Sequence, residues 1–367
     1  MNGTIYMPVG EVCSSISDTY REKKNMVTLI NTSDVLEGRV LNHERVPNSN
    51  LKGQFKKTFQ RDDILYSEIR PQNRRFAYVD FSPIDYVAST KLMVIRAKKD
   101  VVSPKYLYYF LKNSSTVAEL QLLAETRSGT FPQITFSEVA NLTIPVPSLA
   151  VQEVIVQTMQ CLEDKITCNE QINDNLQQQA QAIYSSMFID NSESAWTHGH
   201  LSDLVTVKYG KDHKKLSEGI YPVYGSGGIM RYVERPLYDK ESVLIPRKGT
   251  LNNVMYVNQP FWSVDTMFYT EMKLPNVAKF VYHFVKAKDL ASMNAGSAVP
   301  SMTTDILNAM GVVIPSASAL EEFEALVAPM YEAMEANDVQ SQALSKVRDT
   351  LLPKLMSGEI DVSSVLL

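Results

Sequence analysis

The chain has 367 residues, enough for two domains of ordinary size, and its 36 basic and 41 acidic side chains leave a net charge of −5. Three cysteines, Cys13, Cys161 and Cys168, are odd in number and lack metal-ligand spacing, which fits a reduced cytosol, so we expect a cytoplasmic protein. No secretory signal opens the chain and no apolar run approaches the length of a membrane span, so we expect no membrane contact.

Charge is distributed unevenly along the chain. Residues 1–148 carry a net charge of +4 and residues 196–315 a net charge of +3, whereas residues 149–195 and 316–367 carry −6 each. Two basic segments that alternate with two acidic ones fit a protein that holds DNA at two places. Acidic helix faces that only keep a coiled coil soluble would explain the acidic segments, but not the basic ones.

The first basic segment, residues 1–148, predicts a globular α+β module. Strand patterns occupy residues 63–70 and 76–81, and a helix is predicted from Pro104. A segment of this length has the size of an ordinary domain and can bury a hydrophobic core of its own.

A repeat begins at Ser128 and again at Gly296, and it keeps one constant offset in the sequence. Five pairs share this offset: Pro132 with Pro300, Val139 with Leu307, Leu142 with Met310, Ile144 with Val312, and Pro147 with Pro315. A repeat this long means two copies of one architectural unit, so we expect two similar sites related by a pseudo-two-fold axis. Two sites at a fixed separation suit a long, quasi-symmetric ligand, and duplex DNA is the obvious candidate.

Both copies of the repeat lead into a long amphipathic helix. Apolar and small polar side chains recur every three or four residues for more than four heptads, which is typical of a coiled-coil seam rather than of a surface helix. The predicted seam positions are Ile155, Leu162, Ile166, Asn173, Leu176 and Ile183 in the first helix, and Phe323, Met330, Met334, Asn337, Leu344 and Leu351 in the second. At about 1.5 Å per residue, each helix would be roughly 50 Å long.

The connectivity favours antiparallel pairing of the two helices. A compact domain with neighbouring ends, inserted between the helices, would bring the end of the first helix to the start of the second. Asn173 would then face Asn337, and Asn169 would face Ser341. Such a polar layer fixes the register of a coiled coil at a cost in stability. Because parallel pairing also matches polar with polar residues, these side chains alone leave the direction open.

A second module repeats the element order of the first. Strands are predicted at residues 241–249 and 253–262, followed by a helix from Val277, and the spacing from the first module drifts away from the offset of the repeat. The predicted fold is α+β, with two globular modules in a pseudo-two-fold arrangement separated by two long antiparallel coiled-coil helices. The predicted domains are module 1 at residues 1–148, a first helix at 149–190, module 2 at 191–315, and a second helix with a C-terminal tail at 316–367.

The chain lacks the sequence motifs of catalysis. It holds no phosphate-binding P-loop, no nucleophile elbow and no metalloprotease helix, and no Asn-Pro-Pro-aromatic or Asp-Pro-Pro-aromatic tetrapeptide of amino-methyltransferases. The five histidines are scattered, and His198 and His200 lie at a domain boundary, where solvated imidazoles are commoner than metal ligands. We therefore expect no catalytic residue, no bound metal and no enzymatic activity in this chain.

Several segments resemble the specificity subunits of type I restriction-modification enzymes. They are DDILYSEIRP from Asp62, YPVYGSGGI from Tyr221, IPRKGTLNNVMYV from Ile245, FWSVDTMFY from Phe261, and the junction IPVPSLAVQEVI before the first helix. The resemblance covers nearly the whole chain. It implies two target-recognition domains that each read one half of a split, asymmetric DNA sequence, separated by conserved antiparallel helices.

The resemblance also implies partners for the chain. The helices would dock two modification subunits, which carry S-adenosylmethionine, and restriction subunits would join them for cleavage, while the chain itself would bind no cofactor. One departure from the family pattern is the second junction, PSASALEEFEALV from Pro315, which lacks the glutamine present as Gln152 in the first copy. That departure concerns the symmetry of partner docking rather than the resemblance itself.

Polar and basic side chains in loops are the candidates for DNA contact. An arginine such as Arg247 after a predicted strand can read guanine or clamp a phosphate, and glycines after Tyr224 let the backbone approach a phosphate. The candidates in module 2 are Tyr224, Gly225, Ser226, Gly227, Arg247, Lys248, Gly249 and Thr250. Those in module 1 are Ser67, Arg70, Asn73, Arg74, Arg75, Arg127, Ser128, Gly129 and Thr130. Basic loop residues are more often solvated than base-reading, so the clusters carry this prediction rather than any single residue.

Alternatives exist for the function and for two single residues. A scaffold without DNA binding, whose modules bind other proteins and whose coiled coil sets their spacing, would share the repeat and the helices. A steep loss of duplex binding with salt would distinguish DNA recognition from such a scaffold. For Trp262, a buried core position is the commoner alternative to base stacking, and Asp265 fits a structural turn as well as a contact with a cytosine amine.

Overall fold

A computed structural model of the chain describes residues 4–22, 24–48, 53–127, 130–193, 195–293 and 301–362. These residues form mixed helices and sheets, which confirms the predicted α+β class. Contacts divide the chain into two compact units. Unit 1 comprises Met1–Asn169 with Val339–Leu367, and unit 2 comprises Glu170–Asp338. Each unit therefore holds one module together with parts of both long helices.

Unit 1 contains short strands and four short helices before the first long helix. Its strands are β1 (Ile5–Pro8), β2 (Cys13–Ile16), β3 (Met26–Ile30), β4 (Val35–Leu36), β5 (Arg39–Val40), β6 (Val46–Pro47), β7 (Phe55–Lys57), β8 (Ile64–Ser67), β9 (Phe76–Tyr78), β10 (Tyr86–Ser89), β11 (Leu92–Ala97) and β12 (Thr143–Val146). Its helices are α1 (Val9–Val12), α2 (Pro104–Lys112), α3 (Ser114–Arg127), α4 (Phe136–Asn141) and the long α5 (Leu149–Ser185). The strands predicted at residues 63–70 and 76–81 and the helix predicted from Pro104 are confirmed as β8, β9 and α2.

The main sheet of unit 1 has the strand order β2-β11-β8-β9, with antiparallel neighbours. Its strand β8 is buried on both faces, because Ile64 and Tyr66 pack into the core shared with α2 and Leu65 packs into a second core on the opposite face. A second four-stranded sheet, β6-β3-β10-β7, contributes Ile30 and Ala88 to that second core. Burial on both faces explains why β8 has a continuous apolar sequence rather than an alternating one.

Unit 2 repeats this construction. Its strands are β13 (Thr197–His200), β14 (Val205–Tyr209), β15 (Tyr221–Gly225), β16 (Gly228–Val233), β17 (Ser242–Pro246), β18 (Met255–Val257), β19 (Trp262–Ser263), β20 (Met267–Met272) and β21 (Gly311–Ile314). Its helices are α6 (Leu201–Leu204), α7 (Ala278–Lys286), α8 (Thr304–Asn308) and the long α9 (Ala317–Ser357). The strand and helix predicted at residues 241–249 and from Val277 are confirmed as β17 and α7. The strand predicted at residues 253–262 is shorter, because β18 ends at Val257.

Strand β17 occupies in unit 2 the place that β8 occupies in unit 1. It lies between β20 and β18, with Val243 and Ile245 in the core shared with α7 and Leu244 in a separate core on the other face. Each module is also closed in the same way, because a two-stranded sheet joins its first strand to the strand that ends the repeat: β1 pairs with β12, and β13 pairs with β21. The two modules therefore share one architecture, as the constant offset of the repeat predicted.

In unit 1, the beginning of α5 packs against the end of α9. Ile155 and Met159 share a core with Leu355, and further along α5 the Asn169 amide donates to the Ser341 hydroxyl (3.1 Å) and to the Gln340 side chain (2.9 Å). Later residues of α5 thus meet earlier residues of α9. This order requires antiparallel helices and confirms the predicted contact between Asn169 and Ser341.

In unit 2, the end of α5 packs against the beginning of α9. The Asn337 amide donates to Asn173 Oδ1 (2.8 Å), and the Asn173 amide donates to Asp338 Oδ1 (2.8 Å). Farther along, the ring of Tyr184 packs against Phe323. The pairing is again antiparallel, and the predicted contact between Asn173 and Asn337 is confirmed. Of the predicted seam residues, Ile155 and Phe323 are fully buried, and the remaining ten are half-buried: Leu162, Ile166, Asn173, Leu176, Ile183, Met330, Met334, Asn337, Leu344 and Leu351.

Candidate nucleic-acid interface

Residues 68–75, which connect β8 to β9 and are called loop 1 below, present two arginines on an unusual backbone. A 3-10 turn at Pro71–Asn73 is flanked by Arg70 with φ 44° and Arg74 with φ 51°, both in the left-handed region. Residues other than glycine, asparagine and aspartate rarely adopt this conformation, because their Cβ atom then crowds the backbone. Two such residues in one short loop show that tertiary contacts hold its shape.

Backbone hydrogen bonds fix loop 1 to the segment where the repeat begins. The Ile134 N–H donates to the Glu68 carbonyl (2.9 Å), and the Arg70 N–H donates to the Pro132 carbonyl (3.1 Å). From the other side, the Gln72 N–H donates to the Gln121 side chain of α3 (3.2 Å). We call the bond between Ile134 and Glu68, with the β-bridge beside it, the latch of module 1.

The structure separates the predicted contact residues of module 1 into two groups. Three are engaged within the module: Ser67 is buried and accepts the Ile69 N–H (3.0 Å), Arg75 donates to the Ser33 carbonyl (2.9 Å), and Arg127 pairs with Glu138 (2.8 Å). Bonds within the module therefore engage the polar groups of these three side chains.

The second group faces solvent. Arg70, Asn73 and Thr130 are exposed, and Arg74 lies in a long contact with Glu37 (4.0 Å). Among the residues that the structure describes, none forms a hydrogen bond or ion pair with the side chain of Arg70. Ser128 and Gly129 lie outside the described residues. Within the described part of the chain, loop 1 therefore presents an unpaired guanidinium, that of Arg70, on a backbone fixed by hydrogen bonds.

Residues 247–254, called loop 2, connect β17 to β18 and repeat the construction of loop 1. The Met302 N–H donates to the Arg247 carbonyl (2.9 Å), and Lys248 forms a β-bridge with Ser301. Met302 matches Ile134 at the offset of the repeat, so the latch of module 2 is the repeat of the latch of module 1. Gly249 lies two residues after Arg247, as Arg70 lies two residues after Glu68, and it also has a positive φ, of 87°.

A hairpin formed by β15 and β16 lies against loop 2. The Asn253 amide of loop 2 donates to the Ser226 carbonyl in the hairpin turn (2.8 Å). A Cβ atom added to Gly249 would lie 2.8 Å from Ser226 Oγ, so this glycine allows the close approach of the two segments. The structure therefore brings together the two clusters of module 2 that the sequence only suggested separately.

The hairpin corrects the prediction that Gly225 follows Tyr224 in a loop. Both belong to β15, because the strand continues to Gly225 and only Ser226 and Gly227 form the turn. Tyr224 is buried and its hydroxyl accepts from Gln259 (3.2 Å). Gly225 is buried as well, so neither residue presents a surface to a ligand. The exposed or half-exposed candidates in module 2 are Ser226, Gly227, Arg247, Lys248, Gly249 and Thr250.

Arg247 is held in place, whereas Lys248 is not. The guanidinium of Arg247 lies 5.4 Å from the centre of the Tyr209 ring and donates to the Asp265 carbonyl (3.2 Å). Lys248 is exposed, and the described part of the chain offers its ammonium no partner. Tyr209 was not among the residues predicted from sequence, since a cation–π contact between distant segments leaves no local pattern. Trp262 is buried and donates to the Lys211 carbonyl (2.8 Å), which makes it a core residue.

Each module rests on the long helices through polar side chains that are largely buried. In unit 1, Lys112 of α2 pairs with Glu163 of α5, and the Tyr109 hydroxyl donates to the same carboxylate (2.8 Å). Burial lowers the pKa of Lys112, although the neighbouring carboxylate opposes that shift. In unit 2, Lys279 of α7 pairs with Glu324 of α9. These contacts orient each module, and hence its loop, relative to the helix segments of the same unit.

A buried histidine reinforces this contact in unit 2. His283 is fully buried in α7, with Nδ1 2.8 Å from Gln181 Oε1 and Nε2 2.9 Å from the Tyr331 hydroxyl. Burial lowers the pKa of His283 to about 4, so the imidazole is neutral near pH 7. Within the described ranges, no group of three or more histidine, cysteine, aspartate or glutamate side chains could hold a metal ion. No helix in that part of the chain is long and apolar enough to cross a membrane.

The chain is similar to known proteins over most of its length. A family model for the type I restriction modification DNA specificity domain matches residues 6–178 and 193–322. The HindI specificity subunit of a type I restriction enzyme from Haemophilus influenzae is 27% identical, covering 91% of this chain and 94% of the relative. The MjaIX specificity subunit from Methanocaldococcus jannaschii is 25% identical over 77% of each chain. A crystal structure of a type I restriction-modification S subunit from M. genitalium has the same fold, with 18% identity, a TM-score of 0.58 and 97% of each chain covered.

Proposed function

Because the chain belongs to the family of type I restriction modification DNA specificity domains, we propose that loop 1 and loop 2 each contact one half of its DNA target. The family assigns the chain to sequence recognition in type I restriction-modification, as a specificity subunit without catalytic activity. A scaffold that does not bind DNA is not favoured. The proposal concerns which residues make the contact and which subunits act with them.

The equivalent latches of the two loops carry this proposal. In each module a loop leaves an internal strand of a four-stranded sheet and is hydrogen-bonded to the segment at the start of the repeat. Rigid presentation of a few polar side chains is what base readout requires, since every rotamer fixed on binding costs affinity. The exposed Arg70, Asn73, Lys248 and Thr250 then supply donors for bases and phosphates.

The acidic helices are proposed to dock the partner subunits. Their residues 149–195 and 316–367 carry −6 each, which repels a DNA backbone and leaves their exposed faces available to protein. We propose that two modification subunits bind there and hold S-adenosylmethionine, with restriction subunits joining the complex for cleavage. The chain itself contributes DNA contacts and docking surfaces to this assembly, and the methyl donor stays with the modification subunits.

Methylation mapping with matched variants tests the proposal. Arg70→Ala, in a complex with the modification subunits, should weaken binding by about 1–3 kcal/mol and relax specificity at one base of one half-site. Lys248→Ala should affect the other half-site only. Arg61→Ala is the control, because Arg61 is exposed just before β8, at the end opposite to loop 1. Equal effects of Arg70→Ala and Arg61→Ala would contradict a role for loop 1 in sequence recognition.

A further inference from the structure

The hairpin of β15 and β16 carries apolar side chains that the core of unit 2 does not use. Strand β16 is the edge of its sheet, whose order is β16-β15-β19. On this edge Ile229 is 45% exposed, Met230 61% and Tyr232 44%. Neighbouring exposed apolar residues on an edge strand are a liability for a soluble protein unless something binds them.

A β-bulge in the hairpin places two of these side chains at the surface. Tyr224 pairs with Ile229 and Val223 pairs with Arg231, so Met230 is the extra residue between them. The bulge breaks the alternation of the strand, and Ile229 and Met230 are therefore exposed one after the other. Gly225 makes room for this arrangement, since a Cβ atom on it would lie 2.5 Å from Met230 Sδ.

The segment that precedes the hairpin carries three exposed lysines together with two exposed carboxylates, Asp212 and Glu218. Lys211, Lys214 and Lys215 are exposed in the segment that precedes the hairpin, and Arg231 ties that segment to the hairpin by donating to the Leu216 carbonyl (2.7 Å). At its tip the hairpin contacts loop 2, with the exposed Lys248. An apolar edge with lysines in the segment before it and in loop 2 at its tip complements DNA, whose phosphates are negative and whose groove floor presents thymine methyl groups.

We infer that the hairpin of β15 and β16 enters the major groove and that Ile229 and Met230 contact thymine methyl groups in the half-site read by module 2. A two-stranded ribbon fits the width of that groove. The inference rests on the proposed function of loop 2 and extends it. Loop 2 supplies polar contacts to bases and phosphates, whereas the bulged edge supplies an apolar one. Met230, with its flexible thioether, adapts to the position of a methyl group.

Replacing thymine by deoxyuridine removes the methyl group alone and tests the inference. Once the target is known from methylation mapping, the complex of the full chain with its modification subunits is titrated with duplexes carrying one such replacement each. We expect about a four-fold loss of affinity at one or more thymines of the second half-site, the effect of one buried methyl-sized group. Replacements in the first half-site serve as the DNA control.

Variants of the hairpin complete the test. Met230→Ala or Ile229→Ala should abolish the discrimination between thymine and deoxyuridine, while Ile220→Ala, 78% exposed before β15, should keep it. A second half-site without thymine, or equal affinity for both bases in the unmodified complex, would overturn the inference. Loss of methylation by Met230→Ala with unchanged DNA affinity would also overturn it and would show that the edge binds a protein subunit. The proposed function fails separately, if Lys248→Ala leaves recognition of both half-sites intact.

Discussion

Replacing Arg70 by glycine should stabilise unit 1 and at the same time weaken DNA recognition. Arg70 has φ 44°, where a residue with a Cβ atom is destabilised by about 1–2 kcal/mol. Glycine removes that strain, but its greater freedom in the unfolded chain offsets roughly 0.5–1 kcal/mol. The net gain is therefore about 0.5–1 kcal/mol, which corresponds to a rise of about 2 °C in the melting temperature of a unit of this size.

The loss in recognition should be larger than the gain in stability. The guanidinium of Arg70 faces solvent, and among the described residues it has no partner to lose, so its removal leaves the folded state intact. A bidentate contact between arginine and guanine provides about 1–3 kcal/mol of discrimination, or roughly a 5- to 150-fold change in affinity. Thermal unfolding and duplex titration at fixed salt measure the two effects on the same preparation.

Arg70→Ala separates strain from chemistry. Alanine keeps the Cβ atom, and hence the strain, but lacks the guanidinium. It should therefore lose the same affinity as Arg70→Gly without gaining stability. A lower melting temperature for Arg70→Gly would show that the arginine supports the loop in a way that the contacts of Arg70 do not reveal. Unchanged affinity in both variants would show that the guanidinium is only solvated.

Three further predictions concern unit 2 and the helices. His283 has a pKa of about 4 when folded, below the ordinary histidine value of 6.5, so its contribution to stability should be fully present above pH 6.5 and fall by up to roughly 3 kcal/mol as the pH drops towards 4. Urea titrations should therefore show a shallower loss of stability in this pH range for His283→Gln than for the unmodified chain. Gly249→Ala should destabilise unit 2 by about 1–2 kcal/mol, because φ is 87°, and should impair only one half-site in methylation mapping. Asn337→Ala leaves Asn173 Oδ1 without its donor and should cost about 1–2 kcal/mol in thermal unfolding, whereas no loss would show that Asn173 finds another partner.

The sequence predicted features that are encoded locally. The constant offset of the repeat identified two modules, because the same segment closes each module by the same strand pairing. Ile5 of β1 pairs with Val146 of β12, and Thr197 of β13 pairs with Ile314 of β21. The helical seam could be predicted equally well, because its period depends only on helix geometry. The contact of Asn173 with Asn337 followed once connectivity suggested the direction.

Long-range contacts could not be predicted in the same way. Whether Ser67 faces solvent or the core depends on where the strand ends, and its hydroxyl is in fact bonded to the Ile69 N–H. Arg75 is bound by a carbonyl 42 residues away. The left-handed conformation of Arg70 runs against sequence expectation, because glycine is the usual residue there. The repeat did indicate where the loops are fixed, because its equivalent positions Ile134 and Met302 lie in the segments that are hydrogen-bonded to loop 1 and loop 2.

The equivalence of the two loops suggests how a repeated architecture can recognise an asymmetric target. The latches fix the two loop backbones in the same way, at Glu68 and at Arg247. Two residues after the latch each loop has a positive φ, at Arg70 in module 1 and at Gly249 in module 2. At this position module 1 presents a guanidinium. Module 2 has a glycine there, which leaves room for the turn of the hairpin of β15 and β16 to pack against loop 2. Because the two loop backbones are held alike but carry different side chains at the same position, each module can select its own bases. Exchange of loop side chains should therefore change the recognised sequence without changing the fold.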